Sequence, residues 1–244
     1  MGRLAELRSR GIPDEGRTVN LIPALPFSRW RALALGFLWA QVVMVFGTAA
    51  FALWRDQFGP QGWLNATDAV LAALVLTWWT LIFTRLSAGR ATPPGDGTLR
   101  ALAVAFPWLT SFRAALWGVT LLMLVTGGAG EANSVALTAL MTVWGASILA
   151  SNAVNGSLVR LAPEPANPAH RKRLMDWLNL SAALVLGVTV LNVVPIAGFS
   201  DTVPSSAQVV YGVGGLLDVV ATVLALWVLM ALGGPGRRPT KDGE

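Results

Sequence analysis

Six apolar segments constrain this chain more than any other feature of its sequence. Each segment is long enough to cross about 30 Å of hydrocarbon as a helix that rises about 1.5 Å per residue. They cover residues 30–54, 67–86, 110–127, 133–159, 174–197 and 206–232. An unpaired backbone amide or carbonyl group in lipid costs several kcal/mol, so each crossing must be a helix. The sequence therefore predicts an all-α, polytopic integral membrane protein with six transmembrane helices.

The composition supports lipid as the solvent for most of the chain. Hydrophobic residues make up 54% of the sequence and charged residues only 13%, against about 25% charged residues in an average soluble domain. We expect one membrane domain over residues 28–233, preceded by a cytoplasmic arm over residues 1–27 and followed by a cytoplasmic tail over residues 234–244. The arm is either a short amphipathic helix on the membrane surface or a frayed tail.

The basic residues predict the orientation of the helices. Every lysine and arginine except Arg55 falls before the first segment, around the second and fourth connections, or after the last segment. Because positive residues accumulate on the cytoplasmic side, both termini are expected in the cytoplasm and the protein in the plasma (inner) membrane. The outer loops would then be residues 55–66, 128–132 and 198–205.

One acidic residue near the middle of the last segment predicts a functional site. Asp218 lies in a stripe of small and polar residues with helical spacing, and this stripe should face the other helices: Gln208, Gly212, Gly215, Asp218, Thr222 and Ala225. No basic residue is expected at that depth. Asp218 is therefore protonated and hydrogen-bonded, lines a wet cavity that binds a cation or carries protons, or pairs with a base on another subunit.

Further polar residues are expected near the depth of Asp218. The candidate midplane site for an ion or substrate comprises Asp218, Gln41, Thr142, Asn152, Gln208 and Thr222. The alternative for such residues is packing, because Ser, Thr, Asn and Gln side chains often bond to their own helix or to a neighbouring one. For Asn152 and Asn155, one turn apart, the choice is between a polar vestibule and a helix contact.

Two connections contain further signals. Arg171, Lys172 and Arg173 are expected to contact anionic lipid headgroups at the start of the fifth helix, with His170 beside them as a candidate pH sensor. The apolar stretch 99–108 lies in the membrane interface, forms a re-entrant turn, or extends the third helix through Pro107.

A weak internal repeat is also visible in the sequence. It pairs residues 30–36 with residues 112–118, each of which opens with an aromatic residue followed by Arg-Ala. The match indicates either stacked helical hairpins or chance similarity in a sequence of low complexity.

The residue types that are rare or absent exclude several kinds of chemistry. The chain has no cysteine and one histidine, which excludes thiol catalysis, iron–sulfur clusters and paired haem ligands. We expect no metal, no cofactor, no nucleic acid and no enzymatic activity. The predicted function is a transport component, either a permease or a substrate-binding membrane subunit. The alternative is a non-catalytic accessory subunit of a larger membrane complex; a homo-oligomer is a further option.

Overall fold

The computed structural model describes residues 27–126, 134–193 and 205–232, and these residues form six helices. Their bounds are α1 Phe27–Arg55, α2 Pro60–Ser87, α3 Gly97–Thr126, α4 Ser134–Leu161, α5 Pro168–Val193 and α6 Ser205–Leu232. The all-helical class is therefore confirmed. The predicted arm before residue 27 and the predicted tail after residue 233 lie outside the described residues. The loop between α1 and α2 is shorter than predicted, because α2 already begins at Pro60.

Five of the helices are long and apolar enough to cross a membrane. They are α1, α2, α3, α5 and α6, so the chain is consistent with a polytopic membrane protein. Helix α4 has 28 residues but does not reach the same apolarity in its described part. The reason is visible in its sequence, since polar side chains recur through its second half: Ser147, Ser151, Asn152, Asn155 and Ser157.

Helix α3 begins well before the predicted third segment. It runs without interruption from Gly97 through Pro107, so the stretch 99–108 is part of this helix and not a re-entrant turn. The Asp96 carboxylate caps the helix start by accepting hydrogen bonds from the backbone amides of Thr98 (2.9 Å) and Leu99 (3.2 Å). The earlier start places Arg113 in the middle of the helix, whereas the predicted third segment had it in the first turn, beside the second connection.

The helices form a closed ring in chain order. Each packs against its sequence neighbours, and α6 packs against α1. The starts of α1, α3 and α5 and the ends of α2, α4 and α6 share one side. There Trp30 stacks on Trp227 with ring centroids 5.4 Å apart, and the Thr92 amide donates to the Ala162 carbonyl at 2.8 Å. We call this side the basic face. Its described bases are Arg29, Arg31, Arg85, Arg90, Arg100, Arg160, Arg171, Lys172 and Arg173.

The main hydrophobic core lies in the half of the ring next to the basic face, here called the packed half. Every helix contributes fully or nearly fully buried side chains to it, among them Ala34, Leu38, Ile82, Phe83, Leu102, Leu158, Leu174, Val228 and Leu229. The opposite half, here called the open half, has a small alanine cluster formed by Ala49, Ala66 and Ala69. The rest of its interior holds the polar features described below.

The positions of the arginines correct the predicted repeat. Arg31 lies in the second turn of α1, whereas Arg113 lies in the middle of α3, so the two residues are not equivalent. The equivalent of Arg31 is Arg100, since the octets Trp-Arg-Ala-Leu-Ala-Leu-Gly-Phe (30–37) and Leu-Arg-Ala-Leu-Ala-Val-Ala-Phe (99–106) both open a helix at the basic face. These two helices therefore share an opening sequence, offset from the predicted match.

Candidate functional site: a central polar cavity

A cavity of about 230 Å³ lies inside the ring and is lined by all six helices. This volume is large enough to hold several waters. Its polar lining is Gln41 of α1, Arg113 of α3, Ser147, Ser151 and Asn155 of α4, Ser181 of α5, and Asp218 and Thr222 of α6. The rest of the lining is apolar and includes Leu38, Val75, Trp79, Leu109 and Leu178, so the cavity combines a few polar groups with a mostly apolar wall, as small-molecule sites do.

Asp218 lies in the wall of this cavity because of the way α6 is patterned. Ala221 and Ala225 are fully buried, whereas Val213 and Leu216 are exposed on the outer surface of the ring. The predicted small and polar stripe thus faces the bundle. The Thr222 hydroxyl donates to Asp218 Oδ1 at 3.3 Å, and both Gln41 and Arg113 lie close enough to interact with the carboxylate.

Arg113 corrects the expectation that no base shares the depth of Asp218. Its Nε and Nη2 atoms donate to Asp68 Oδ1 at 2.7 Å and Oδ2 at 3.0 Å, a two-pronged ion pair between α3 and α2. Sequence reasoning missed it because the third segment was predicted to begin at residue 110, so that Arg113 was counted with the bases around the second connection. The alternative that extended the helix through Pro107 would have placed Arg113 near the middle of the third helix.

The structure brings together part of the predicted site. Asp218, Gln41 and Thr222 line one cavity. Thr142 does not join them: it is exposed and donates to the carbonyl of Thr138 in its own helix at 2.7 Å. Asn152 accepts from the Thr110 hydroxyl at 3.0 Å and so links α4 to α3. The side chain of Gln208 lies outside the described residues.

Several lining residues were not in the predicted site, and Asn155 and Trp79 are two of them. Asn155 is buried and reaches the cavity, so of the two asparagines in α4 one packs and the other lines the cavity. The Trp79 side chain also lines it, and its buried indole Nε1 has no hydrogen-bond acceptor among the described residues. A buried donor without a partner beside a polar cavity is a group that a bound solute or water can satisfy.

A second cavity, of about 330 Å³, lies in the open half of the ring. Its polar lining is Thr48 of α1, Gln61, Asn65 and Asp68 of α2, Arg113 and Thr120 of α3, and Tyr211 of α6. Arg113 and Trp144 line both cavities. The ion pair between Arg113 and Asp68 therefore lies where the two cavities meet.

The bases at the start of α5 have different surroundings. Arg171 Nη2 donates to the Pro165 carbonyl at 2.7 Å and so holds the preceding turn. Lys172 is paired with Asp176 one helical turn away at 2.9 Å, and Arg173 is exposed. His170 Nδ1 lies 3.8 Å from Glu164 Oε2. Contact of these bases with lipid headgroups stays a prediction.

Neither the described side chains nor the comparison with known proteins assigns a metal or a family to this chain. Over the described ranges, no group of three or more His, Asp or Glu side chains is arranged to hold a metal ion. No family model, no curated protein and no solved structure matches this chain. The site must therefore be interpreted from its own geometry.

Proposed function

We propose that this protein is a transport component of the cytoplasmic membrane, either a permease or a substrate-binding membrane subunit. One observation carries the proposal: a single polar cavity is lined by all six helices and contains Asp218 and Arg113. Substrate sites of membrane transporters lie near the midplane between helices. Ionisable residues are costly inside a membrane, and by default they mark a functional pathway.

The charges in the two cavities favour a cation or a proton as the bound species. Their ionisable lining residues, within the described part of the chain, are Asp68, Arg113, Asp218 and the Tyr211 phenol. A tyrosine is ordinarily neutral at pH 7. The charges of Asp68 and Arg113 cancel, which leaves the Asp218 carboxylate. In a medium of low dielectric constant one positive charge must balance it, supplied by a proton or by a monovalent cation.

The proposed topology has six spans with both termini in the cytoplasm. The bases of the basic face support this orientation through the positive-inside rule. Arg171, Lys172 and Arg173 would then face the anionic headgroups of the cytoplasmic leaflet, where each base contributes about 1 kcal/mol to lipid binding. Helix α4 would cross the membrane with its polar residues turned toward the ring.

Charge movement in proteoliposomes tests the proposal. The protein, adsorbed on a solid-supported membrane, would receive concentration jumps of H⁺, Na⁺, K⁺ or methylammonium. We expect a transient current for at least one of these cations and its reduction by at least tenfold in Asp218→Asn. Asp176→Asn is the matched control, because this carboxylate is exposed near the start of α5 and its variant should keep the current.

Native mass spectrometry of gently extracted protein complements this experiment. A chain that carries no current for any of the four cations, and that leaves the membrane bound to another protein in fixed stoichiometry, would overturn the proposal. It would favour the alternative of an accessory subunit. A lone chain or a homo-oligomer with a cation-dependent current supports a self-contained transporter.

A further inference from the structure

The two cavities follow one another along the axis of the ring. On α1 the central cavity is lined by Gln41 and Val45 and the second cavity by Thr48 and Ala52. Helix α2 repeats the order in reverse, because its chain runs the other way. Its residues from Ala72 onward line the central cavity, and its residues up to Ala69 line the second. The boundary between the two cavities therefore lies at the same height along the ring axis on α1 and on α2.

Helix α3 places Arg113 at this boundary. Leu109, one turn before it, lines the central cavity, and Leu116 and Thr120, one and two turns after it, line the second cavity. The guanidinium is held across the ring interior by its two bonds to Asp68 on α2. An arginine side chain stays charged at every physiological pH, so this group is a permanent positive charge between the cavities.

We propose that the second cavity is a second cation compartment on the same path as the central site, and that the Arg113–Asp68 ion pair is the barrier between the two. This inference rests on the proposed transport function. The compartment is lined by the oxygen groups of Asn65, Gln61 and Thr120, and its described charges, those of Asp68 and Arg113, cancel in their ion pair. Carbonyl oxygens and water are ligands that hard cations take.

The arrangement of charges also gives a way for the barrier to open. Carboxylates lie in both cavities that Arg113 lines: Asp68, which is bonded to it, lines the second cavity, and Asp218 lines the central one. A cation that reaches Asp68 competes with the guanidinium for the same oxygens. Arg113 then has the Asp218 carboxylate as its alternative partner, so movement of the cation and of the side chain are linked.

The absence of cysteine from the chain allows a direct test by thiol accessibility. Single cysteines would be introduced as Asn65→Cys in the second cavity and Ser147→Cys in the central cavity. Each would be treated from the side of the turn at residues 56–59 with impermeant methanethiosulfonates, one cationic (trimethylammonium-ethyl) and one anionic (sulfonatoethyl). Leu122→Cys, on an exposed apolar face of α3, is the control for a site in lipid and should not react.

The expected result has two parts. Asn65→Cys should react at least tenfold faster with the cationic reagent than with the anionic one. Ser147→Cys should be protected from that side in the otherwise unaltered chain, and its rate should rise at least tenfold when Asp68→Asn and Arg113→Gln are introduced together. This neutral pair removes both charges at once, so no unpaired charge is left inside the ring.

Two results would overturn the inference. One is an equal rate for Ser147→Cys with and without the neutral pair, which would show that Arg113 is no barrier. The other is faster labelling of Asn65→Cys by the anionic reagent. If the neutral pair fails to fold, Arg113→Lys keeps the charge but loses the two-pronged contact, and a smaller rise in rate is expected. Labelling needs no transported substrate, so its failure is distinguishable from an absence of current.

Discussion

The two halves of the ring are built differently. In the packed half, fully buried side chains such as Phe83, Leu102 and Leu158 come from several helices and touch one another. The central cavity borders this core, because Leu38, Trp79 and Leu109 belong to both, and the open half contains the second cavity and a small alanine cluster. Lipid offers helices little hydrophobic reason to associate, so close packing must hold them together. Concentrating that packing at one end leaves the other end free to hold polar groups.

Two ion pairs between α2 and the α3 region show the same contrast. Arg85 and Asp96 meet at 2.7 Å at the basic face, and Arg113 and Asp68 meet at 2.7 Å inside the ring. The first pair fixes a turn that faces water and reinforces a helix cap. The second lies inside the ring beside the two cavities, with its side chains 28% and 26% exposed, and the loss of one partner there leaves a lone charge among the helices.

The largest expected effect is that of breaking the interior pair. Arg113→Gln should lower the free energy of unfolding by about 3 kcal/mol, because it leaves the Asp68 carboxylate without its partner. Denaturation with SDS in mixed micelles measures this change. Asp68→Asn combined with Arg113→Gln should lose much less. If the single and double variants are equally stable, the interior of the open half is wet enough to stabilise a lone carboxylate.

A smaller effect on stability is expected from shortening single leucines of α3, and it should differ between a buried and an exposed position of that helix. Leu102→Ala, at a fully buried position of α3, should destabilise the protein by about 2 kcal/mol through lost van der Waals contacts. Leu122→Ala, on the exposed face of the same helix, should change the stability by less than about 0.5 kcal/mol. Similar losses at both positions in the same SDS titration would contradict the placement of Leu102 in the core and of Leu122 on the outer surface of the ring.

The smallest effect concerns the charge of Asp96 and its dependence on pH. The hydrogen bond from Arg85 lowers the pKa of Asp96, and the amides of Leu99 and Thr98 lower the pKa further, while burial raises it. A carboxyl group with a lowered folded-state pKa stabilises the fold above its unfolded pKa of about 3.9, and this contribution disappears as the pH falls through the folded value.

The matched variant for this prediction is Asp96→Asn, which keeps a helix-capping residue and removes the charge. Its melting temperature should lie slightly below that of the unaltered chain from pH 7 down to pH 5. The difference should shrink once the pH falls below about 4, where the native carboxyl is also becoming protonated. A difference that stays constant across the whole range would show that the ion pair with Arg85 adds nothing to the cap.

The residue pattern alone was enough to predict the helices and part of the site. Apolar length predicted the all-helical class and the positions of six helices, because the backbone has no other way to satisfy its hydrogen bonds in lipid. Helical spacing was enough to predict that the stripe containing Asp218 and Thr222 faces the bundle. Gln41 was also correctly placed beside it, since one polar residue in a long apolar helix turns inward.

Only the tertiary structure decided which polar side chains meet. Thr142 and Asn155 both lie in α4, yet Thr142 is exposed on the outside of the ring and Asn155 lines the cavity. Helical spacing places the two residues on different faces of α4 but could not tell which face turns inward, because that depends on how α3 and α5 pack against it. The pairing of Arg113 with Asp68 joins residues 45 positions apart. That distance in sequence is closed by the ring of helices, and no local pattern encodes it.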